Sequence, residues 1–352
     1  MKNSKIIVIT ILFLGIFVTS CDDDDTIIEP KGDYENGILI ASEGPFGSGT
    51  GTVMFISDDY TITENAIFNN VNNLDIGNIL QSIGFEEDNA YLIANVSNKI
   101  TVVNRYTFEE ITTITEGLNN PRYFAEVNGK GYVTNWGDPL NNDDDYIAVL
   151  NLATNMVEST IPVAFGPEEI VAVNNTLYVA HQGGYGQNNI VSVISTSSNS
   201  IIKTLEVGDV PNSLTIDDKD DVWVLSGGKP SWTGVESKGI LSKINTDTNS
   251  IDVSFDFQTT EHPNFLSVDD DYLYYNLGGN VYKMSSTASV LPTSEEISGL
   301  YSYNMVAKDG ILYATDAGDY ASNGKLYLYD LSTNSLINTF TTGIIPNGIY
   351  FN

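Results

Sequence analysis

The chain has 352 residues, with 46 acidic side chains against 15 basic ones and a formal net charge of -31 at pH 7. A field of that sign repels phosphate backbones and anionic lipid, which argues against nucleic acid as a partner and against a basic membrane-binding surface. Only 17% of residues are charged and there is a single cysteine, so a disulfide framework and a Cys-based zinc site are both excluded.

Lys2 and Lys5 precede a short apolar run, Ile6 to Val18, the layout of an export signal too short to persist as a membrane span. The run closes in Val18-Thr19-Ser20-Cys21, which resembles the lipobox of bacterial lipoproteins. The resemblance implies a signal peptide over residues 1–20 and lipidation of Cys21, the only membrane contact expected. Asp22 to Asp25 and the polar residues after them read as an acidic, disordered tether over 21–35. This tether resembles the acidic export signal of some Gram-negative lipoproteins. The expected location is therefore the outer membrane, facing the cell exterior.

From residue 36 onward the chain repeats. Seven segments share an apolar-aromatic-apolar core that turns polar: Gly37-Ile-Leu-Ile-Ala, Tyr91-Leu-Ile-Ala-Asn, Tyr132-Val-Thr-Asn, Leu177-Tyr-Val-Ala-His, Val222-Trp-Val-Leu-Ser, Leu273-Tyr-Tyr-Asn and Leu312-Tyr-Ala-Thr-Asp. Pro121, Pro167, Pro211, Pro263 and Pro346 each stand just ahead of a strand-like run, and Asn155, Asn199, Asn249 and Asn334 each occupy a turn. Each unit holds four short β-branched and aromatic runs, as in Glu169–Val173, Leu177–Ala180, Ile190–Ile194 and Ile201–Val207. No segment after the signal has helical periodicity over a dozen residues. The reading is all-β: a seven-bladed propeller of four-stranded antiparallel blades over 36–352. The first unit lacks a proline-led strand, and Ile344 to Asn352 supplies one, so the C-terminal strand is expected to complete the first blade.

Tyr132-Val-Thr-Asn135 and the wider unit of proline, Leu-Tyr-Val-Ala and turn asparagine resemble the YVTN-type propeller repeat over nearly the whole of 36–352. Together with the lipobox and tether, the chain is similar to surface lipoproteins that pass scarce ligands to TonB-dependent transporters, the cobalamin-binding members first. The resemblance implies capture of a small molecule of the corrinoid, haem or siderophore class, with no resident cofactor, for delivery to an outer-membrane transporter.

Strands alternate in direction, so the connections from second to third strand and from one blade to the next share one end of the propeller. The second-to-third loops are Gly-bearing and pair an aromatic ring with polar groups. Phe46, Trp136, Tyr185, Trp232 and Tyr320, with His181 and the rare cations Arg122 and Lys229, are the expected ligand-binding residues. The opposite end carries short acidic turns, Asp217–Asp221 and Asp269–Asp271, read as solvated hydrophilic turns. Two alternatives stand beside capture. One is a structural or adhesive surface protein that binds protein or glycan. The other is a metal-dependent lyase or lactonase built on His181 and His262 with Asp316, Asp319 or Glu261. The run Asn141 to Asp145 lacks the alternating ligands of a calcium loop and reads as a solvated tip.

Overall fold

Strands whose two faces are both apolar must be covered on both sides, and seven small sheets arranged radially achieve this by packing on one another. The computed structural model describes residues 30–47 and 49–352, of which Lys31–Asn352 forms one compact unit. The signal peptide, Cys21 and the Asp22–Asp25 run lie outside the described residues.

The second strands of the seven blades are Gly37–Ser42, Asn89–Ala94, Lys130–Asn135, Thr176–His181, Val222–Ser226, Tyr272–Leu277 and Ile311–Asp316. These are the seven repeated segments of the sequence, and they number the blades 1 to 7 here. The innermost strands begin at or beside the proline landmarks: Pro121–Val127, Pro167–Val173, Pro211–Ile216 and Asn264–Asp269 in blades 3 to 6. In blade 1 the innermost strand is the C-terminal Pro346–Phe351. It pairs antiparallel with Gly37–Ser42, placing Leu39 opposite Tyr350 and Ile40 opposite Ile349, and so closes the ring.

Seven apolar clusters hold the ring together, one across each blade boundary. The second strands supply the bulkiest fully buried side chains, among them Tyr91, Tyr132, Tyr178, Trp223 and Tyr275. Three of these tyrosines reach into the next blade. The hydroxyls of Tyr91, Tyr132 and Tyr178 donate to Asn155, Asn199 and Asn249 at 3.5, 3.3 and 2.5 Å. Those asparagines sit at φ of 53°, 49° and 49°, the left-handed region asparagine tolerates, so one side chain both makes the turn and receives the neighbouring blade.

Two details differ from the sequence reading. Blade 6 has three full strands, and only a bridge from Val281 to Ile297 stands where the fourth would run. The residues there, Ser286 to Leu300, are broken up by Ser, Thr and Pro292, which cannot sustain a ladder. Residues 31–35, assigned to the tether, instead pack on the propeller. Tyr34 is buried edge-on against Phe55 and Phe108, and Lys31 pairs with Asp88 at 2.7 Å. Asp88 lies in a first-to-second-strand turn, so the chain joins the propeller at the end opposite the long loops. A six-residue helix, Ile67–Asn72, fills the link between blades 1 and 2.

The acidic turn Asp217–Asp221 is solvated at Asp218 and Asp220 but not at Asp217. Its carboxylate is buried and accepts from the Trp223 indole and Lys243, both at 3.0 Å, and from the backbone N–H of Lys219 and Asp221. Burial alone would raise its pKa, but the hydrogen bonds from Lys243 and Trp223 outweigh it and hold Asp217 below the ordinary value.

Candidate functional site: the axial cup

A recurring backbone device builds the loop end of the propeller. The residue just before the innermost strand has positive φ in five blades: Ile79, Asn120, Gly166, Val210 and Ile345, between 52° and 68°. For the β-branched Ile79, Val210 and Ile345 this costs about 1–3 kcal/mol each. Glycine at 166 is required outright, because a Cβ there would lie 2.2 Å from Gly183 Cα. The strained residue's carbonyl accepts from the first loop residue of the same blade, or in blade 4 the second: Asn95, Trp136, Gly183, Gly227 and Glu43 N–H groups reach Ile79, Asn120, Gly166, Val210 and Ile345. The innermost strand's start and the long loop are thereby fixed to each other.

A β-bulge follows within the first residues of the innermost strand in blades 2 to 6. Bulges re-aim side chains, and here a residue at the head of each innermost strand, its first or second, turns to the axis. Gln81, Arg122, Glu168, Asn212, Asn264, Asn304 and Asn347, one from each blade, form a polar ring in a cavity of about 530 Å³. Several fasten blade to blade. Asn347 donates to Gln81 O at 2.8 Å, Asn304 to Asn347 O at 2.5 Å and Asn212 to Pro263 O at 2.9 Å.

The cup's wall includes Phe46, Trp136, Tyr185 and Tyr303. Arg122 is committed to Glu168 through two bonds, Nε to Oε2 at 3.0 Å and Nη2 to Oε1 at 2.6 Å. Its guanidinium lies 4.0 Å over the Trp136 ring, whose Nε1 donates to Pro167 O at 2.9 Å. Burial disfavours the Arg122 charge, but the Glu168 carboxylate more than restores it.

Two further carboxyls face the cavity without a cation bound to them. Glu43 accepts from the Tyr303 hydroxyl at 2.9 Å, and burial raises its pKa. Glu169 accepts from Leu214 N–H at 2.6 Å. Burial, with a smaller contribution from Glu168, lifts its pKa to about 8 against the pull of that hydrogen bond. At neutral pH Glu169 is mostly a neutral acid, able to donate. It also lines the axial channel of about 340 Å³ that shares Tyr123, Phe265 and Asn347 with the cup.

Of the residues singled out in the sequence, Phe46, Arg122, Trp136 and Tyr185 line this one cavity. Tyr320 stands behind it, edge-on to Tyr303 at 5.7 Å. Trp232 and His262 line a neighbouring cleft. Lys229 is drawn to Asp209 at 3.0 Å, beneath the blade 5 loop. His181 is not on the binding face at all. It is fully buried, with Nδ1 facing Phe165 O at 3.3 Å and Nε2 facing Ser192 Oγ at 2.9 Å. Burial pushes its pKa down to about 4, so it is a neutral structural side chain.

The metal arrangement considered for His181 and His262 is therefore not assembled. His262 donates to Gly227 O and meets Glu236, while Asp316, Asp319 and Glu261 accept from local backbone N–H groups. Among the described residues, no group of three or more His, Cys, Asp or Glu side chains is placed to hold a metal ion. Nor is the Asn141–Asp145 run simply a solvated tip. Asp145 is buried, its pKa raised by burial to about 6, and accepts from Gly166 N–H at 2.9 Å to brace the loop.

Apart from Arg122, the polar ring and both free carboxyls are not among the residues that the sequence singles out. One signal was available: the residue after every landmark proline is polar, namely Arg122, Glu168, Asn212, Asn264 and Asn347. Polar side chains there, at the head of otherwise apolar strands, mark the axis.

Fold and site define the class: an all-β, seven-bladed propeller with an amide-ringed cup at the centre of its loop end. The chain belongs to the family described as a domain of unknown function, DUF5074, whose model matches residues 36–351. No curated protein matches it. Among solved structures it is similar to a proposed 6-phosphogluconolactonase from Bacteroides uniformis, at a TM-score of 0.64 and 12% identity over 91% of this chain and 100% of that one. A functionally unknown protein from Desulfotomaculum acetoxidans gives 0.63 at 11% identity over 90% and 99%. Apo AztD from Citrobacter koseri gives 0.54 at 10% identity over 89% and 96%. Identities this low establish the shared propeller and nothing more specific.

Proposed function

We propose that the protein is a capture protein whose axial cup binds a small organic ligand, of the corrinoid class first, for delivery to an outer-membrane transporter. The observation that carries this reading is the cup itself. It is a single concave site, ringed by amides from all but two of the blades, walled by aromatic rings and held rigid by strained loop anchors. Pre-organisation of that kind favours tight binding, because little freedom remains to be lost.

The lining favours one of the three ligand classes. The residues around the cup include no His, Cys or Met, which leaves a haem iron only tyrosine hydroxyls, and burial disfavours the phenolate form of two of them, Tyr123 and Tyr303. Arg122 is neutralised by Glu168, and Glu43 and Glu169 add further acidity, which disfavours anionic ferric siderophores. A corrinoid offers an uncharged periphery of amides to the polar ring and a flat face to Trp136 and Phe46. Lipid attachment at Cys21 and surface display belong to the same proposal. They are supported by the lipobox-like sequence and by the strap at Lys31–Tyr34, which brings the chain in at the end opposite the cup. The YVTN-type resemblance adds its weight by analogy.

The test is calorimetry of the purified protein against corrinoids, haem and ferric siderophores. The expected result is tight binding to a corrinoid, weakened at least tenfold by Trp136→Ala. Binding to none of the three, or corrinoid binding indifferent to Trp136→Ala, would overturn the reading.

A further inference from the structure

A second cavity, of about 420 Å³, lies between the long loops of blades 4 and 5. It opens onto the cup, since Gln182, Tyr185, Asn212 and Asn264 line both. Its floor is bare backbone at Gly227 and Gly228. A Cβ at Gly227 would come within 2.7 Å of Asn212 Nδ2. Gly228 has φ of +72°, and its Cβ would meet Ser237 O at 2.3 Å. No side chain can fill this floor without rebuilding it.

Two aromatic rings stand over the floor. Tyr185 is 76% exposed and Trp232 is 80% exposed, each several times the exposure of an ordinary packed ring. Trp232 is nevertheless held in place. It sits in a single 3₁₀ turn, Ser231–Thr233, after Pro230. The base of the loop is tied by Ser237 N–H to Lys229 O at 3.0 Å, by Lys229 N–H to Ser237 Oγ at 2.9 Å and by Ser237 Oγ to Asp209 at 2.7 Å. A costly exposed indole on a braced loop calls for a ligand rather than for packing.

The polar lining narrows the chemistry. In a chain with 46 carboxylates, none of the residues lining this cleft is Asp, Glu, Lys or Arg. The one titratable lining residue, His262, has both ring nitrogens engaged, by Gly227 O at 2.8 Å and Glu236 at 3.2 Å, so phosphates, carboxylates and ammonium groups would find no free counter-charge. What the cleft offers is amides. Those of Gln182 and Gln187 make no side-chain hydrogen bond to another described residue, and each presents a donor and an acceptor together. Neighbouring hydroxyls on a sugar ring present the same alternation, while the ring's C–H face stacks on indole or phenol.

We propose that this cleft is a binding subsite for the pyranose rings of a neutral saccharide. Tyr185 serves both sites, and what separates this cleft from capture in the cup is Trp232, which the cup does not use. A glycan bound here would lie from the rim toward the axis, between blades 4 and 5.

The experiment is saturation-transfer NMR and calorimetry of the purified protein with short neutral oligosaccharides of the glucan, xylan and mannan types, beside uronic-acid and sulfated counterparts and a nucleoside. At least one neutral series binds, weakened about tenfold by Trp232→Ala and by Tyr185→Ala. Val290→Ala, an exposed apolar residue elsewhere, leaves it unchanged. Preference for charged sugars or the nucleoside, no saccharide binding, or binding insensitive to both aromatic substitutions would overturn the inference. Corrinoid binding without saccharide binding would sink this inference alone. Saccharide binding without any cup ligand would sink the capture reading alone.

Discussion

Replacing Glu169 with Gln should leave the stability of this protein unchanged in acid and raise it progressively as pH climbs from about 4.5 to about 8. The Glu169 carboxyl faces both the cup and the channel. Beside it stand Glu168 on its own strand, Tyr123 and Arg122 from blade 3, and Tyr350 from blade 1. Burial carries its pKa from 4.5 to about 8, a rise of about 3.5. A carboxyl whose folded pKa lies above its unfolded one contributes stability that is complete below about pH 4.5 and is lost as pH rises through 8. The full loss is about 5 kcal/mol. Water in the cup screens the ionised form, which brings the effect to about 2–3 kcal/mol. Roughly 320 ordered residues, at about 2.1 cal/mol/K each, make 1 kcal/mol worth about 1.5 °C. Glutamine keeps the acceptor for Leu214 N–H and cannot ionise. Thermal melts at pH 5 and pH 9 should therefore show Glu169→Gln within about 1 °C of wild type at pH 5 and about 3–4 °C more stable at pH 9. The same difference at both pH values would refute the assignment of a buried, proton-holding carboxyl.

Asp217→Asn removes a buried carboxylate from Lys243 and the Trp223 indole, while Lys243 keeps Asp221 at 2.9 Å. The expected loss is about 3 kcal/mol, or about 4–5 °C of Tm at pH 7. Because hydrogen bonds hold its pKa down, that loss should shrink as pH falls through the folded pKa. Deleting Pro346–Phe351 opens the ring and leaves Gly37–Ser42 without its inner partner. The truncated chain should be insoluble or bind a hydrophobic dye, and a melt matching wild type would contradict closure. Val210→Asn places a residue that tolerates positive φ at a strained β-branched site. It should be neutral to about 1 kcal/mol stabilising in denaturant melts, despite the lost methyl groups.

The blade count and the closing strand were legible because both depend on strand patterning: runs such as Leu177–Ala180 can only be covered on both faces, and Ile344–Asn352 has the pattern of the strand missing from the first unit. The cup was half legible. Phe46, Trp136 and Tyr185 stand out as aromatic rings in Gly-bearing loops, but Glu169 and Asn347 reach the axis only through bulges and positive-φ residues that follow no hydrophobic period. His181 misled because it begins a polar loop in sequence while its side chain belongs to the end of a buried strand. Asp217 misled for the opposite reason. Five residues of an acidic turn look solvated, yet Lys243, on the blade's third strand opposite Trp223, draws one carboxylate inward. Tyr34 lies in a stretch too polar to suggest packing, and a single aromatic anchored it.

Hydrogen exchange with and without a corrinoid tests the central claim most directly, because the cup is built from backbone whose amides can be followed one by one. The account predicts added protection at the loop anchors Glu43, Asn95, Trp136 and Gly183 and at the heads of the innermost strands, with the Asp217–Asp221 and Asp269–Asp271 turns unchanged. Protection confined to those acidic turns, or none at saturating ligand, would contradict it.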